Sequence, residues 1–259
     1  MIYNSFKKYF LFVIRQFYRL IIIAPWVGLM EIIGFFVRSM IIFNEVKKPF
    51  FLVTSTIYPI DKKLSYANSR SIFISADRIR QTIETIKSIR KNFPQAYILV
   101  ADNGTKDEGM EDIKLLVDKF VFLGNKSIIR FSADHLNKSF GELVLCLAAI
   151  KFIPTEVDYF FKISGRYFLN KNFNFEKWPK DDFVFLKVRI DFYSSRLYGF
   201  PMAFLDFWRL TLLKGLPLAL IGYPIENLLC KYVVKNKIAF ISMLGVGGRD
   251  ATTGSEINE

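Results

Sequence analysis

Histidine occurs once in 259 residues, at His135, and cysteine twice, at Cys146 and Cys230. That scarcity leaves no Cys/His set for zinc. The two cysteines lie far apart in apolar helical patterns, so they read as buried free thiols of a reducing compartment rather than a disulfide framework. His135 reads as a loop or surface histidine. Acid is also short: 24 Asp and Glu stand against 36 Lys and Arg, a net charge of +12. No helix-turn-helix pattern, zinc spacing or Gly-aromatic RNA motif accompanies that basic charge, which sets nucleic acid aside as a partner. Internal repeats are absent. The longest uncharged run, Leu20 to Met30, has 11 residues and contains Pro25, against the roughly 20 apolar residues of a spanning helix. No small-residue cleavage site follows it, which argues against a removed signal peptide.

What the chain has in quantity is apolar and aromatic character, 52% and 17% of residues, with 23% still charged. The combination suggests a folded enzyme that also touches a membrane. Residues 1–47 are read as a membrane-associated helical segment. Glu31 and Arg38 lie seven apart on one helical face, which makes Trp26–Phe43 an amphipathic helix. Basic residues flank the segment on both sides: Lys7, Lys8, Arg15 and Arg19 before it, Lys47 and Lys48 after it. A single span carries its positive charge mainly on one side. Symmetric flanks therefore favour a helical hairpin lying in or dipping into the interface over a span or over helices packed only on protein.

From residue 48 to residue 245, strands and helices alternate. Phe50–Ile57, Tyr97–Ala101, Ser127–Phe131, Tyr159–Ile163, Phe183–Val188 and Ile238–Met243 read as strands. Ser75 is the expected N-cap of a helix carrying Ile79, Ile83, Ile86 and Ile89, with Asp77 and Arg78 as cap and first-turn residues. Further helices are expected at Glu111–Phe120, Ser139–Phe152, Phe204–Leu213 and Ile225–Val234. Such alternation predicts an α/β fold with a mainly parallel sheet and helices on both faces. The aromatic cluster Phe192, Tyr193, Tyr198, Phe200, Phe204, Phe207 and Trp208 reads either as core or as a stacking platform for a ligand. Residues 246–259 are expected to form a loose polar tail.

The most informative phrase is Lys162-Ile163-Ser164-Gly165-Arg166-Tyr167. A buried strand ends there in a small-residue turn followed by a guanidinium, so it is expected to present backbone N–H groups and Arg166 to a phosphate. In open α/β sheets ligands bind beyond the carboxyl ends of the strands.

Two runs carry a resemblance. The stretch Tyr97-Ile98-Leu99-Val100-Ala101-Asp102-Asn103-Gly104-Thr105-Lys106-Asp107 and the phrase at 159–168 together resemble GT-A-fold bacterial glycosyltransferases of surface-polysaccharide assembly (capsule, O-antigen or lipooligosaccharide). Over about residues 50–240 the order of elements is also similar. The resemblance implies a Rossmann-like GT-A domain at 48–245. It implies transfer of a sugar from a nucleotide-sugar donor to a hydroxyl of a glycan or lipid-linked glycan, at the cytoplasmic face of a bacterial inner membrane. Asp102, with Asn103 and Gly104, would meet the nucleoside, as would Thr54, Ser55 and Thr56. Arg70 and Ser71 would reach the diphosphate. Ser164, Gly165 and Arg166 occupy the place of the family's Asp-x-Asp, which holds Mg²⁺ or Mn²⁺. That departure suggests that Arg166 supplies the positive charge, with Glu156 and Asp158 as a weaker metal option. Glu226, in Gly222-Tyr223-Pro224-Ile225-Glu226, resembles the family's late acid and is the candidate base; Pro224 suits the first helical position, with Glu226 in the first turn. The lost acid pair equally suits a non-catalytic, membrane-bound partner that retains the nucleotide-sugar fold.

Overall fold

The computed structural model describes residue 14, residues 16–36 and residues 48–259. Residues 37–43 of the expected amphipathic helix, and the basic flanks apart from Arg19 and Lys48, lie outside the described residues.

Strand β1 (Pro49–Ser55) is buried along its whole length, as its continuous apolar run requires. It pairs in parallel with β2 (Tyr97–Asp102) and with β4 (Tyr159–Ser164), and β3 (Lys119–Phe122) adds in parallel to β2. Beyond β4 the sheet turns antiparallel, through β8 (Leu197–Pro201), β6 (Phe183–Arg189) and β7 (Phe192–Tyr193). Strand β9 (Ile238–Ile241) lies parallel to β6. The order β3-β2-β1-β4-β8-β6-β7 gives a mixed α/β sheet whose β3-β2-β1-β4 half is parallel and Rossmann-like.

Successive side chains of a strand point to opposite faces. Phe50 and Leu52 of β1 accordingly join a core with α5 (Lys138–Ala149), α6 (Leu205–Leu220) and α7 (Ile225–Tyr232). Phe51 and Val53 join the other core, with α2 (Ser75–Asn92) and α3 (Glu111–Leu116). Helices thus cover both faces, as expected. Most of the aromatic cluster is core: Tyr193, Tyr198, Phe200, Phe204 and Trp208 are buried.

Several local expectations are corrected. Residues 127–131 are not a strand but the start of α4 (Ser127–Asp134). Ile129 packs inward, while Ile128 and Phe131 are exposed. The Arg130 guanidinium pairs with Asp134 one turn on and donates to the carbonyls of Asn103 and Gly104, 2.8 and 2.7 Å. Those contacts favour a helix over the β-branched propensity of a short run. Ser75 is not a cap: Ile74 holds that position, with no side-chain cap bond. Pro224 occupies the cap of α7 rather than its first turn, and Glu226 falls in the first turn.

The tail is not loose. Strands β10 (Val246–Arg249) and β11 (Glu256–Asn258) form a three-stranded sheet with β5 (Tyr167–Leu169). Gly245 makes the turn into it at φ +71°, where a Cβ would stand 2.2 Å from Phe173 Cα. The Glu259 side chain accepts from Ser194 Oγ at 2.9 Å and pairs with Arg196.

Within the described residues Pro25 does not interrupt the N-terminal helix. The helix continues through π-helical turns, Arg19–Ile23, into α1 (Ala24–Phe36). The wider turns accommodate the N–H that proline lacks. A second proline fixes where this helix docks. Pro217 lies inside α6 and cannot bond the carbonyl of Leu213; Trp26 Nε1 donates to that carbonyl instead, at 2.7 Å. Tyr18 and Arg19 bond Pro217 O and the Tyr223 hydroxyl, and Lys214 pairs with Glu31. Ile23 and Met30 are buried, while Phe17, Ile21, Leu29 and Ile32 are each more than half exposed. By length and composition alone, Gln16–Ile33 is the one candidate span among the described residues.

Candidate functional site

The parallel strands β1, β2 and β4 end on one edge of the sheet, and a cleft of two chambers opens there. The first is lined by Thr54, Ser55 and Thr56 from β1 and its exit, by Asn103, and by Arg70, Arg78 and Arg130. The second is lined by Glu226, Ser195, Tyr66, Tyr223 and Asp250 among others, with Phe192 from the aromatic cluster. Lys138, Glu142, Ser164 and Arg166 line both, so they mark the junction.

The turn after β4 contributes less backbone than its sequence suggests. The N–H of Ser164 donates to Arg196 O, that of Gly165 to Thr54 O, and that of Arg166 to Ser164 O. All three are spent within the protein, and what the turn offers a ligand is the Arg166 guanidinium. Gly165 has a steric role: a Cβ would stand 3.0 Å from Thr82 Oγ1, the hydroxyl that donates to Gly165 O.

Asp102 is fully buried behind the wall and does not line the first chamber. Its carboxylate accepts from Ser55 Oγ, from the Ile57 N–H and from the Gly104 N–H, at 2.7, 2.8 and 2.7 Å. Burial pushes its pKa up against those bonds. Asp102 therefore pins the two strand-end loops. Gly104 lies behind the wall with it, where a Cβ would meet the Asp102 carboxylate at 2.7 Å. Asn103 does line the chamber, accepting from Thr56 Oγ1 at 2.6 Å.

Arg70 reaches the wall, but its fork is committed. It donates to the carbonyls of Ala133, Asp134 and His135 at 2.8, 2.7 and 2.6 Å, capping the end of α4. Ser71 is outside both chambers, and its hydroxyl accepts from the Phe73 N–H.

The chamber gains cations that the sequence reading assigned elsewhere. Arg78 of α2, expected as a first-turn residue, is buried and donates to Thr56 O. Desolvation lowers its pKa to about 10. Lys138, the first residue of α5, is lowered to about 7, chiefly by the Arg166 guanidinium and then by burial. The Nε–H groups of Arg70, Arg78, Arg130 and Arg166 are all buried without a hydrogen-bond partner. Arg196 Nε, on a residue lining the second chamber, is unpaired in the same way. One signal for Arg78 was legible: Arg78, Thr82 and Thr85 form a polar stripe at helical spacing, and all three are buried.

Beneath the junction lies an ion pair. Lys162 is fully buried in β4, pairs with Glu142 and donates to Ser195 O at 3.2 Å. Burial opposes charge on Glu142, yet Lys162 beside it holds its pKa below the usual carboxylate value. Glu226 is shifted the other way. Its burial raises the pKa, against a 2.6 Å hydrogen bond received from Ser195 Oγ. Two carboxylates of one cleft are thus pushed apart in acidity, the usual arrangement for dividing acid–base roles.

Mg²⁺ and Mn²⁺ at such sites are held by one or two carboxylates together with a substrate's phosphates, and among the described residues no group of three or more His, Cys, Asp or Glu side chains comes together. At the position of the expected acid pair stand Ser164 and Arg166, with Lys138 and Lys162 near them, and Glu142 is taken by Lys162. Glu156 and Asp158 precede β4 and sit at its opposite end, around Lys48: the Lys48 N–H donates to Asp158 at 3.1 Å, and its ammonium pairs with Glu156 at 3.2 Å. Of the two thiols, Cys146 is buried and Cys230 only half-buried, and both are free.

No protein-family model and no curated protein matches this chain.

Proposed function

We propose that this chain is a GT-A-like glycosyltransferase that moves a sugar from a nucleotide-sugar donor to a hydroxyl of a surface-glycan acceptor. The observation that carries the reading is the junction. A chamber lined by four arginines, Arg70, Arg78, Arg130 and Arg166, opens into a chamber that holds a carboxylate of raised pKa. The first chamber takes the nucleoside diphosphate, the second the acceptor, and Arg166 stands between them. Glu226 removes the proton from the acceptor hydroxyl. The acceptor oxygen bonds to the anomeric carbon as the bond from that carbon to the phosphate oxygen breaks. The leaving diphosphate carries off the electron pair, and Arg166 offsets its charge in the role of a metal ion.

A thermal-shift screen against nucleoside diphosphates and nucleotide sugars, with and without Mn²⁺, tests the reading. One nucleotide class is expected to raise stability by about 2.7 kcal/mol at a hundredfold excess over its Kd, with no need of metal. If the whole panel leaves the transition unmoved, the donor assignment fails. Binding without transfer or donor hydrolysis would favour the second reading, a non-catalytic nucleotide-sugar-binding partner, which the missing acid pair also supports.

The same reading places the protein on the cytoplasmic face of a membrane, through the exposed apolar side of the N-terminal helix. That helix touches the acceptor chamber directly, since Arg19 bonds Tyr223. Exposed apolar stripes beside basic residues suit an anionic bilayer surface. In vesicle flotation, the protein should rise with phosphatidylglycerol vesicles. Ile21→Asp combined with Ile32→Asp should leave it in the soluble fraction without changing its fold. Flotation of the double variant equal to that of the parent would remove this surface from the reading.

A further inference from the structure

Arg78, Lys138 and Arg166 reach the same cleft from three separate elements: α2, the start of α5 and the turn after β4. Among the described residues Lys138 and Arg166 form no ion pair, and Arg78 donates to the carbonyl of Thr56. The acids nearest Lys138 are engaged elsewhere. Glu142, one turn along α5, pairs with Lys162. Asp250, from the C-terminal segment, accepts from the Thr252 and Thr253 N–H groups at 2.8 and 2.9 Å and from both their hydroxyls. Tyr66 from the loop after β1, Tyr167, Tyr223, Arg196 and Glu226 of α7 also line the second chamber, with Glu226 held by Ser195 and Arg196 paired with Glu259. Among the described residues, three cations thus share one cleft, and the acids near them, Asp102 behind Arg78 included, are engaged in other bonds. Arginine does not give up its proton in proteins, so the lysine is the group that yields.

We propose that a diphosphate group seats among Arg78, Lys138 and Arg166, and that a proton enters with it at Lys138. In the empty cleft the neighbouring guanidinium and burial make the Lys138 amine give up its proton far more readily than an ordinary lysine, with its pKa lowered to about 7. An arriving dianion supplies the missing counter-charge, and the amine takes up a proton from solvent. The charged ammonium then stands at the junction where the phosphate leaves. The repulsion that would destabilise the empty site is avoided, while the loaded site has its full positive charge. This deepens the transferase reading by giving the leaving group a second cation, but the binding step requires no sugar transfer.

The test uses inorganic sulfate, a dianion with no proton to lose in this range, titrated calorimetrically in two buffers of different ionisation enthalpy. The full chain is expected to take up about one proton per bound sulfate near pH 8, and almost none near pH 6, where Lys138 is already charged. Lys138→Arg should bind sulfate with no proton uptake, because its cation is permanent. Lys138→Met should bind about tenfold more weakly, also without uptake. Uptake that persists in Lys138→Arg overturns the proposal, as does heat independent of buffer in the parent chain, or no sulfate binding at all. A failure of the transferase reading would appear as absent turnover with these heats intact, so the two outcomes are distinguishable.

Discussion

Replacing Glu226 by Gln is expected to lower kcat by about 10²–10⁴-fold while leaving the affinity for the nucleotide donor within about twofold of the parent. The amide keeps the shape of the side chain and can still bond Ser195, but it cannot accept the acceptor's proton. Donor affinity is preserved because Glu226 lines the second chamber and not the first. The pH profile makes the test specific. The base works as the carboxylate, and burial raises its pKa. Activity should therefore fall on the acid side as pH drops through that raised value, at a higher pH than for an exposed glutamate near 4.3. Ser195→Ala removes a hydrogen bond that favours the carboxylate, so the acid limb should move to still higher pH. Near-normal turnover in Glu226→Gln would take the residue out of this role.

Replacing Arg166 by Met should cost about 10²–10³-fold in kcat/KM, the scale seen when one preorganised donor to a developing anion is removed. Arg166→Lys should recover part of that loss, since it restores charge but not the planar fork. A second readout separates catalysis from folding. Arg166 is the largest cause of the lowered Lys138 pKa and has no ion-pair partner among the described residues, so its replacement removes no ion pair from the ligand-free fold. Arg166→Met is expected to leave the ligand-free fold as stable as the parent, or more stable by about 0.5–1 kcal/mol. Chelation by EDTA should not alter turnover of the parent chain. Activity lost with EDTA and regained with Mn²⁺ would place a metal in the role given to Arg166.

Glu226 and Arg166 could be singled out from sequence because each sits in a local pattern. Arg166 follows a continuous apolar run that can only be a buried strand, and Glu226 follows a Gly-x-Pro turn into a helix. Asp102 shows the limit of that reasoning. Its Asp-Asn-Gly turn was recognised, but the carboxylate turns inward to Ser55, Ile57 and Gly104. The same holds for Arg70, whose fork is satisfied by carbonyls at the end of a helix that the sequence read as a strand. Lys162 was visible as a lone charge inside an apolar strand, yet its partner, Glu142, lies 20 positions away on a helix that packs over the sheet. The tail also looked loose for a local reason: it is polar and glycine-bearing. It is ordered by β5, a strand of three residues that local propensity could not have marked as its partner.

The sequence by itself determined the alternation of strands and helices, the parallel half of the sheet and the edge at which its strands end. Those features follow from side-chain period and turn chemistry, which act over a few residues. Only the tertiary structure decided which polar groups reach the cleft and which are consumed in building its walls. It brought Arg78, Lys138 and Arg166 together and left their neighbouring acids engaged elsewhere. The physical reason is that charge interactions depend on distance in space and on burial. Neither is encoded by spacing along the chain when the groups come from a helix, a helix start and a strand end up to 88 positions apart.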